Sequence, residues 1–387
     1  MHRCVKIVVL ALFCVSCESK PAPSPSVSLP AQTQQAAVQP KARIGIVAIP
    51  APPEKPKEPI AHQVAATIPG AQRILMAVAS PQVDEIFGLA QTSKDTYGGT
   101  YFVFQPGRPE KQVEEVMGGM NLTDPVAPVW SPDGTTAYFV FDTDNYKRSR
   151  SAHDRGLCAW DRGGRKVTQI LKDSIGGLAI SADGTLAAFW DYTTGNKLTV
   201  YNLETKQVVR AWAGQVHSED DLVLLDLAFA PDGKSLLARL YDPSDPVMQF
   251  DIASGKITRF AKDVQSFVTI GDSVYLLQFV PVPATNPENP HKLTKWTMGS
   301  VEPVTVVEDF LYEELTGSDG NPWLVARRAR NYSTGLAIYD TKTGHIQTAG
   351  ESCDTAIVTA SGRVLYTFGG ELVADAAVCS GPPLKQD

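Results

Sequence analysis

Four short turns share one grammar: Ser131-Pro132-Asp133-Gly134, Ser181-Ala182-Asp183-Gly184, Ala230-Pro231-Asp232-Gly233 and Ser318-Asp319-Gly320. Asp hydrogen-bonds nearby backbone, Gly supplies a positive φ at the end, and Pro, where present, presets φ at the second position. The first three turns lie about 50 residues apart, a period that suits a repeated four-stranded β unit rather than a helical solenoid. Punctuation of this kind commits the chain to an all-β repeat architecture.

Short apolar and aromatic runs follow the turns at once, at 137–141, 186–190 and 236–240, each of strand length and strand composition. An aromatic residue followed by a polar one ends a later strand at Trp160-Asp161, Tyr201-Asn202, Phe250-Asp251 and Tyr339-Asp340, with looser versions at Phe104-Gln105 and Trp296-Thr297. Gly163-Gly164, Gly255 and Gly344 then serve hairpin turns. The pattern predicts a seven-bladed β-propeller, with blades near 72–121, 126–171, 175–212, 223–260, 264–307, 311–349 and 353–378. Six blades is the alternative. The last unit offers three strands only. Residues 43–49, β-rich and isolated between proline-rich stretches, are expected to supply the fourth, closing the ring from the N-terminal side and covering an exposed edge. Propellers grow by adding blades around an axis, so one domain spanning 62–379 accounts for most of the 387 residues, with 380–387 as a tail.

The first residues read as an address. Arg3 and Lys6 form a short basic region, 7–15 is apolar but too short to span a bilayer, and Val15-Ser16-Cys17 ends it with small residues. This resembles a bacterial lipoprotein signal, although Cys14 stands where Leu is usual. The resemblance implies cleavage of 1–16 and a lipid on Cys17, and Glu18 in place of Asp implies passage to the outer membrane, facing the periplasm or the cell surface. An ordinary secretory signal with an unlipidated product is the other reading. Both export the protein. Apart from the strand at 43–49, residues 17–61 are rich in Pro, Ala, Gln, Ser and Lys, a composition that cannot bury a core and reads as a tether.

The net charge of −7 disfavours general nucleic-acid binding. The basic residues are nevertheless clustered: Lys147, Arg148, Arg150 and Arg155 in one stretch, Arg327, Arg328 and Arg330 in another. In a propeller, the loops joining second to third strands open on the same face as the connections between blades. Both basic clusters are expected there, with the proline-rich stretches 279–292 and 241–247 and the acidic His217-Ser218-Glu219-Asp220-Asp221. Long loops gathered on one end of a rigid scaffold are where binding tends to sit. That face is expected to take envelope proteins or an anionic ligand, its basic residues receiving carboxylate or phosphate. Solvated charges that merely keep the domain soluble are the plainer reading.

Catalytic signals are few. His2, His62, His153, His217, His291 and His345 include no close pair, so no metal-ligand spacing appears, and no cofactor fingerprint is present. Asp142-Thr143-Asp144-Asn145 has the oxygen-rich alternation of calcium loops but lacks their glycine and terminal glutamate; turn chemistry explains it more simply. No catalytic residue and no metal ligand is nominated. Setting aside Cys4, Cys14 and Cys17 leaves Cys158, Cys353 and Cys379. A Cys353–Cys379 bridge would staple the last blade, yet antiparallel order sets the two at opposite ends of it unless the tail turns back; Cys158 is then free or intermolecular.

The Ser-Pro-Asp-Gly turn, the apolar strand after it and the aromatic-Asp strand end together resemble the propeller repeats of the TolB-like family of bacterial envelope proteins. The likeness covers blades two to four well, blade six moderately and the rest weakly. It implies a propeller fold and an envelope setting. The family's namesake also carries an N-terminal α/β domain and works with a peptidoglycan-associated lipoprotein, whereas the equivalent stretch here is a tether and one strand. The resulting expectation is a non-enzymatic binding or scaffold subunit of a cell-envelope complex, held to the membrane by its N-terminal lipid. A propeller enzyme acting on an envelope glycan, peptide or small ligand is the alternative, and an accessory factor for a redox cofactor a third class.

Overall fold

The computed structural model describes residues 63–380 apart from 69, 93–97, 107–112, 122–124, 143–154, 173–174, 192–196, 214–223, 241–245, 281–290, 301, 311–313, 318–321, 331–332, 350–354, 363 and 368–375. Among these residues the strands form seven four-stranded antiparallel sheets, all within one compact unit, Gly45–Asp387. Strand β1 (Gln63–Ile68) comes first in the chain and belongs to the last sheet. The first sheet is β2 (Arg73–Ala79), β3 (Ile86–Gln91), β4 (Gly98–Phe104) and β5 (Val113–Asn121). The second is β6 (Val129–Trp130), β7 (Thr136–Asp142), β8 (Arg155–Asp161) and β9 (Lys166–Leu171), and the third β10 (Ile175–Ile180), β11 (Leu186–Asp191), β12 (Lys197–Asn202) and β13 (Gln207–Ala213). The fourth comprises β14 (Leu224–Phe229), β15 (Ser235–Leu240), β16 (Val247–Asp251) and β17 (Ile257–Ala261); the fifth, β18 (Val264–Ile270), β19 (Ser273–Phe279), β20 (His291–Thr297) and β21 (Val304–Phe310). The sixth holds β22 (Glu314–Thr316), β23 (Trp323–Arg330), β24 (Ser333–Asp340) and β25 (Ile346–Ala349). The seventh holds β26 (Thr355–Val358), β27 (Val364–Thr367) and β28 (Ala376–Ser380), with β1 outermost.

The first strands of successive sheets adjoin one another from β2 through β6, β10, β14, β18 and β22, and β26 packs against both β23 and β2, completing the circuit. This is the all-β propeller that the repeats predict. Sheets stacked face to face bury both sides of their middle strands, so β3, β11 and β19 are buried almost throughout rather than alternating. The outermost strands β9 and β13 are largely exposed.

The predicted turns close the first hairpins in the way their residues dictate. In the second sheet Ser131 Oγ donates to Asp133 Oδ1 at 2.6 Å, the same oxygen accepts the Thr135 amide at 3.0 Å, and the Thr136 amide donates to Ser131 Oγ at 3.0 Å. The third sheet repeats the set with Ser181, Asp183, Thr185 and Leu186. Gly134 has φ 66°, and a Cβ there would come within 2.6 Å of Ser80 Oγ, so glycine is required twice over. The fourth turn, 318–320, lies outside the described residues. The serine hydroxyl and the threonine amide hold both Asp133 and Asp183 below the usual carboxylate range. A lowered folded-state value means that the stabilisation is present above the ordinary carboxylate range and is lost as pH falls through the depressed value. The Asp133→Ala, Asp183→Ala double variant should therefore lose roughly 1 kcal/mol, kept small by solvent screening. In urea unfolding the gap from wild type should be present at pH 7 and narrow toward pH 3.

The strand closing the last sheet is not the expected one. Gln63–Ile68 pairs antiparallel with β28, from Gln63 opposite Ser380 to Ile68 opposite Ala376; residues 43–49 lie outside the described residues. The reason is local. Ile68 is buried in a cluster with Ala71, Ile74, Ile357 and Leu365. The Ala71 amide donates to the Ile68 carbonyl at 3.1 Å, and Gly70 turns there at φ 72°, so β1 steps straight into β2. A strand at 43–49 needs a long return path, and short connections prevail.

Of the two residues of the expected bridge, Cys379 lies in β28, opposite Val64, and Cys353 is outside the described residues. Cys158 is a buried free thiol whose pKa burial pushes up to about 11, which leaves it an inert part of the core.

Side chains at the turn end tie neighbouring sheets together. Glu85, 1% exposed, accepts from Arg162 Nε at 3.0 Å and Arg165 Nη1 at 3.5 Å of the next sheet. Arg210 of β13 donates to the carbonyls of Ile252 and Ala253 in the following sheet. The Ser361 amide donates to Asp84 at 3.0 Å, linking the last sheet to the first.

Candidate functional site

The two ends of the ring differ. Connections between first and second strands, such as 131–135, 181–185 and 230–234, are short, as are those between third and fourth strands, such as 162–165 and 203–206. Connections at the other end include 143–154, 214–223 and 280–290. The ends of the strands that these join carry the candidate site.

A bulge recurs near that end of four first strands. Register shifts fall between Ile74 and Met76, Gly176 and Leu178, Leu224 and Asp226, and Val264 and Ser266. Such a bulge bends the strand and re-aims the side chain that follows it. In two of the four strands that side chain is polar, and each receives a backbone amide from the next first strand. Asp226 accepts the Phe267 N–H, and Ser266 Oγ accepts the Leu315 N–H at 3.2 Å. Glu314, the residue before Leu315, occupies the corresponding place in the sixth sheet.

Both acids face an arginine across the first strand pair. Asp226 is opposite Arg239, whose Nε donates to Asp226 Oδ2 at 2.7 Å. Glu314 is opposite Arg327 and forms an ion pair with it. The pairs differ in setting: the Arg239 side chain is 12% exposed and that of Asp226 30%, against 37% for Arg327 and 46% for Glu314. Burial holds Asp226 above the usual carboxylate range, Arg239 opposes that rise, and the charge of Glu314 adds to it. The two carboxylates thus lie within each other's field, each matched by its own guanidinium, with Ser266 on the strand between.

The sequence-predicted residues are distributed otherwise. Lys147, Arg148 and Arg150 lie outside the described residues. Arg155 is the first residue of β8, opposite Asp142 and buried, and so is not part of an open basic loop. Arg327, Arg328 and Arg330 are not on a loop either, because β23 runs on to Arg330, which pairs with Ser333. Arg327 is engaged by Glu314. Asp226, Arg239 and Glu314 were missed. The available signal was an acid inside an otherwise apolar strand, Leu224-Leu225-Asp226-Leu227, a residue type that is rarely placed there without a partner. Of the histidines, His291 is buried at the start of β20, its ring 4.9 Å from that of Phe279. Among the described residues no group of three or more His, Cys, Asp or Glu is arranged to hold a metal ion.

No protein-family profile and no curated protein sequence matches this chain. Solved structures do. Oligogalacturonate lyase from Vibrio parahaemolyticus superposes with a TM-score of 0.57 at 13% identity, covering 83% of this chain and 93% of that one. An oligogalacturonate lyase in complex with manganese gives 0.56 at 12% identity, covering 84% and 97%. The β-propeller domain of the trilobed protease from Pyrococcus furiosus, described as having an open velcro topology, gives 0.54 at 11% identity, covering 80% and 95%. TolB from Acinetobacter baumannii gives 0.46 at 16% identity over 72% of this chain, which spans 63% of TolB's length. At such identities the likeness is one of fold, and the fold that the lyases and the protease domain share with this chain is the β-propeller.

Proposed function

We propose that the chain is an exported, lipid-anchored β-propeller that acts as a non-enzymatic binding or scaffold subunit of a bacterial cell-envelope complex. In this reading each four-stranded sheet counts as one blade, giving seven, and Cys17 carries the lipid. Residues 17–61 then lead directly into β1, so the membrane anchor and the ring closure are consecutive in the chain. The observation that carries the proposal is the asymmetry of the ring: tight turns at one end, and at the other long connections around a row of polar side chains on β14, β18 and β22. A rigid scaffold with its long connections gathered at one end suits partner binding.

Crosslinking and affinity capture of tagged full-length protein from its native envelope, read by mass spectrometry, tests this. The expected result is a defined set of envelope proteins in stoichiometric amounts, lost when 143–154 is replaced by a short Gly-Ser link. Recovery of the propeller alone would sink the scaffold reading. Cys17→Ser should shift the protein from the membrane fraction to the soluble one, and unchanged membrane association would remove the lipid anchor from the proposal.

A second reading, an enzyme acting on an envelope glycan, draws on the likeness to oligogalacturonate lyases. It predicts turnover of oligogalacturonate, seen as the ultraviolet absorbance of an unsaturated product; no turnover with or without added manganese removes that substrate.

A further inference from the structure

The turn end of the ring carries apolar side chains that folding leaves uncovered. Among the described residues the large hydrophobic side chains that stand exposed are Val208, Val209, Met298 and Val304. Val208 and Val209 lie in β13 just after the turn 203–206, Met298 lies in the connection 298–303, and Val304 begins β21. All of them therefore sit where a third strand turns into an outermost fourth strand, on the rim of the turn end, in the third and fifth sheets. The sheet between brings its own turn beside the first pair: Arg210 donates to the carbonyls of Ile252 and Ala253 at 2.9 and 2.6 Å, and Ala253, Ser254 and Lys256 are exposed. A single exposed valine is ordinary, whereas apolar side chains confined to one end of one stretch of rim mark a contact surface.

The chain enters the ring at this same end. Strand β28 occupies the third place of its sheet and so finishes at the turn end, and Gln63, the first residue of β1, pairs with its last residue, Ser380. The stretch from Cys17 to Gln63, as a flexible coil, spans roughly 35–40 Å. It holds the ring near a bilayer without fixing which end faces the lipid, and the apolar side chains of one end supply that choice. The exposed charges around them are of both signs, Glu204 and Glu302 with Lys206 and Lys256, so the contact does not call for an anionic surface. Because a tether sets an effective concentration on the order of millimolar, a weak contact is enough.

We propose that the turn end of the ring rests on the lipid bilayer through Val208, Val209, Met298 and Val304, so that the long-connection end points away from the membrane. The inference rests on the lipid-anchor reading above and deepens it by giving the anchored ring an orientation.

The test uses the chain from residue 17 onward with an N-terminal His tag, held on phosphatidylcholine vesicles that contain nickel-chelating lipid and a lipid with a photoreactive diazirine in its acyl chain. After illumination, crosslinked peptides are mapped by mass spectrometry. Crosslinks are expected on 203–210 and 297–306, in equal yield at low and high salt, and not on 261–263 or 280–290 at the other end. The combined variant Val208→Thr, Val209→Thr, Met298→Gln, Val304→Thr should lower that yield about tenfold while leaving the denaturant midpoint unchanged, since these side chains are exposed in the folded ring. Crosslinks confined to the tether, crosslinks on the long-connection end, or a turn-end yield that the combined variant leaves unchanged overturn the proposal. Should the combined variant not fold, the wild-type map still decides which end meets the lipid. The outcome is separable from the anchor reading, because the His tag holds the chain on the vesicle whether or not Cys17 carries a lipid in the cell.

Discussion

Deleting residues 1–69 will unfold the last sheet, whereas deleting 1–60 will leave the ring as stable as the full chain. Only the longer deletion removes β1, which pairs with β28 from Gln63 to Ile68. Ile68, 3% exposed, is worth about 1.5–3 kcal/mol in burial, and each lost backbone hydrogen bond adds roughly 0.5–1.5 kcal/mol. Together these come to at least about 3 kcal/mol, before counting the exposed β28 edge that invites association with other chains. The remaining strands of that sheet, β26 to β28, are short and have little to hold them alone. Amide hydrogen exchange should show protection lost first in β26–β28 and kept in β10–β17, with the deleted form more prone to aggregate. The pair of truncations also separates the two closing strands. If deletion of 1–60 proves as damaging as deletion of 1–69, the segment at 43–49 carries the closure and the β1 assignment fails.

The contrast between those strands shows what was legible in the sequence. The turns at Ser131, Ser181 and Ala230 and the hairpins after them depend on residues two to five positions apart, so their chemistry could be read directly, and sheet boundaries followed from their spacing. Closure depends instead on which of two β-rich segments meets a strand some 300 residues later. Composition does not distinguish them; the short step from Ile68 to β2 does. The candidate site was hidden for the same reason. Asp226 meets Arg239 thirteen positions away within its own sheet, but its second partner is Phe267 in the next sheet, and Glu314 joins it only because their first strands stand around one axis. The basic residues misled in the opposite direction. Clustering in sequence suggested an open loop, but Arg327, Arg328 and Arg330 extend β23 and Arg155 begins β8.

Glu85 makes a related point about the turn end. Its carboxylate is buried and receives Arg162, Arg165 and Gln105, partners that lie 20 to 80 positions away in the chain. A charge is tolerated there because two adjacent sheets converge on it and supply donors. Inter-sheet contacts thus hold together both the turn end of the ring and the polar row at its other end.

That rigidity has a measurable centre in the first two sheets. Phe87, with no exposed surface, lies 5.7 Å from the Tyr101 ring, 6.3 Å from Trp130, 5.4 Å from Phe139 and 5.8 Å from Trp160. Two of these neighbours are themselves pinned across the sheet boundary, Trp130 Nε1 donating to the Val78 carbonyl at 3.2 Å and the Tyr101 hydroxyl to that of Val140 at 2.9 Å. A side chain removed from such a cluster leaves a cavity that the neighbours cannot collapse to fill, so Phe87→Ala should cost about 3–5 kcal/mol. Phe260 provides the comparison: it is partly exposed and meets one ring, Trp296, at 5.1 Å. Phe260→Ala should cost about 1–2 kcal/mol, since less area and one aromatic pair are lost. Phe87→Leu, which restores most of the volume, should recover more than half of the Phe87→Ala loss. Denaturant midpoints for the three variants provide the check. Equal losses at Phe87 and Phe260 would mean that the first two sheets are no more tightly coupled than the periphery of the ring, and the fixed platform under the polar row would have to be sought elsewhere.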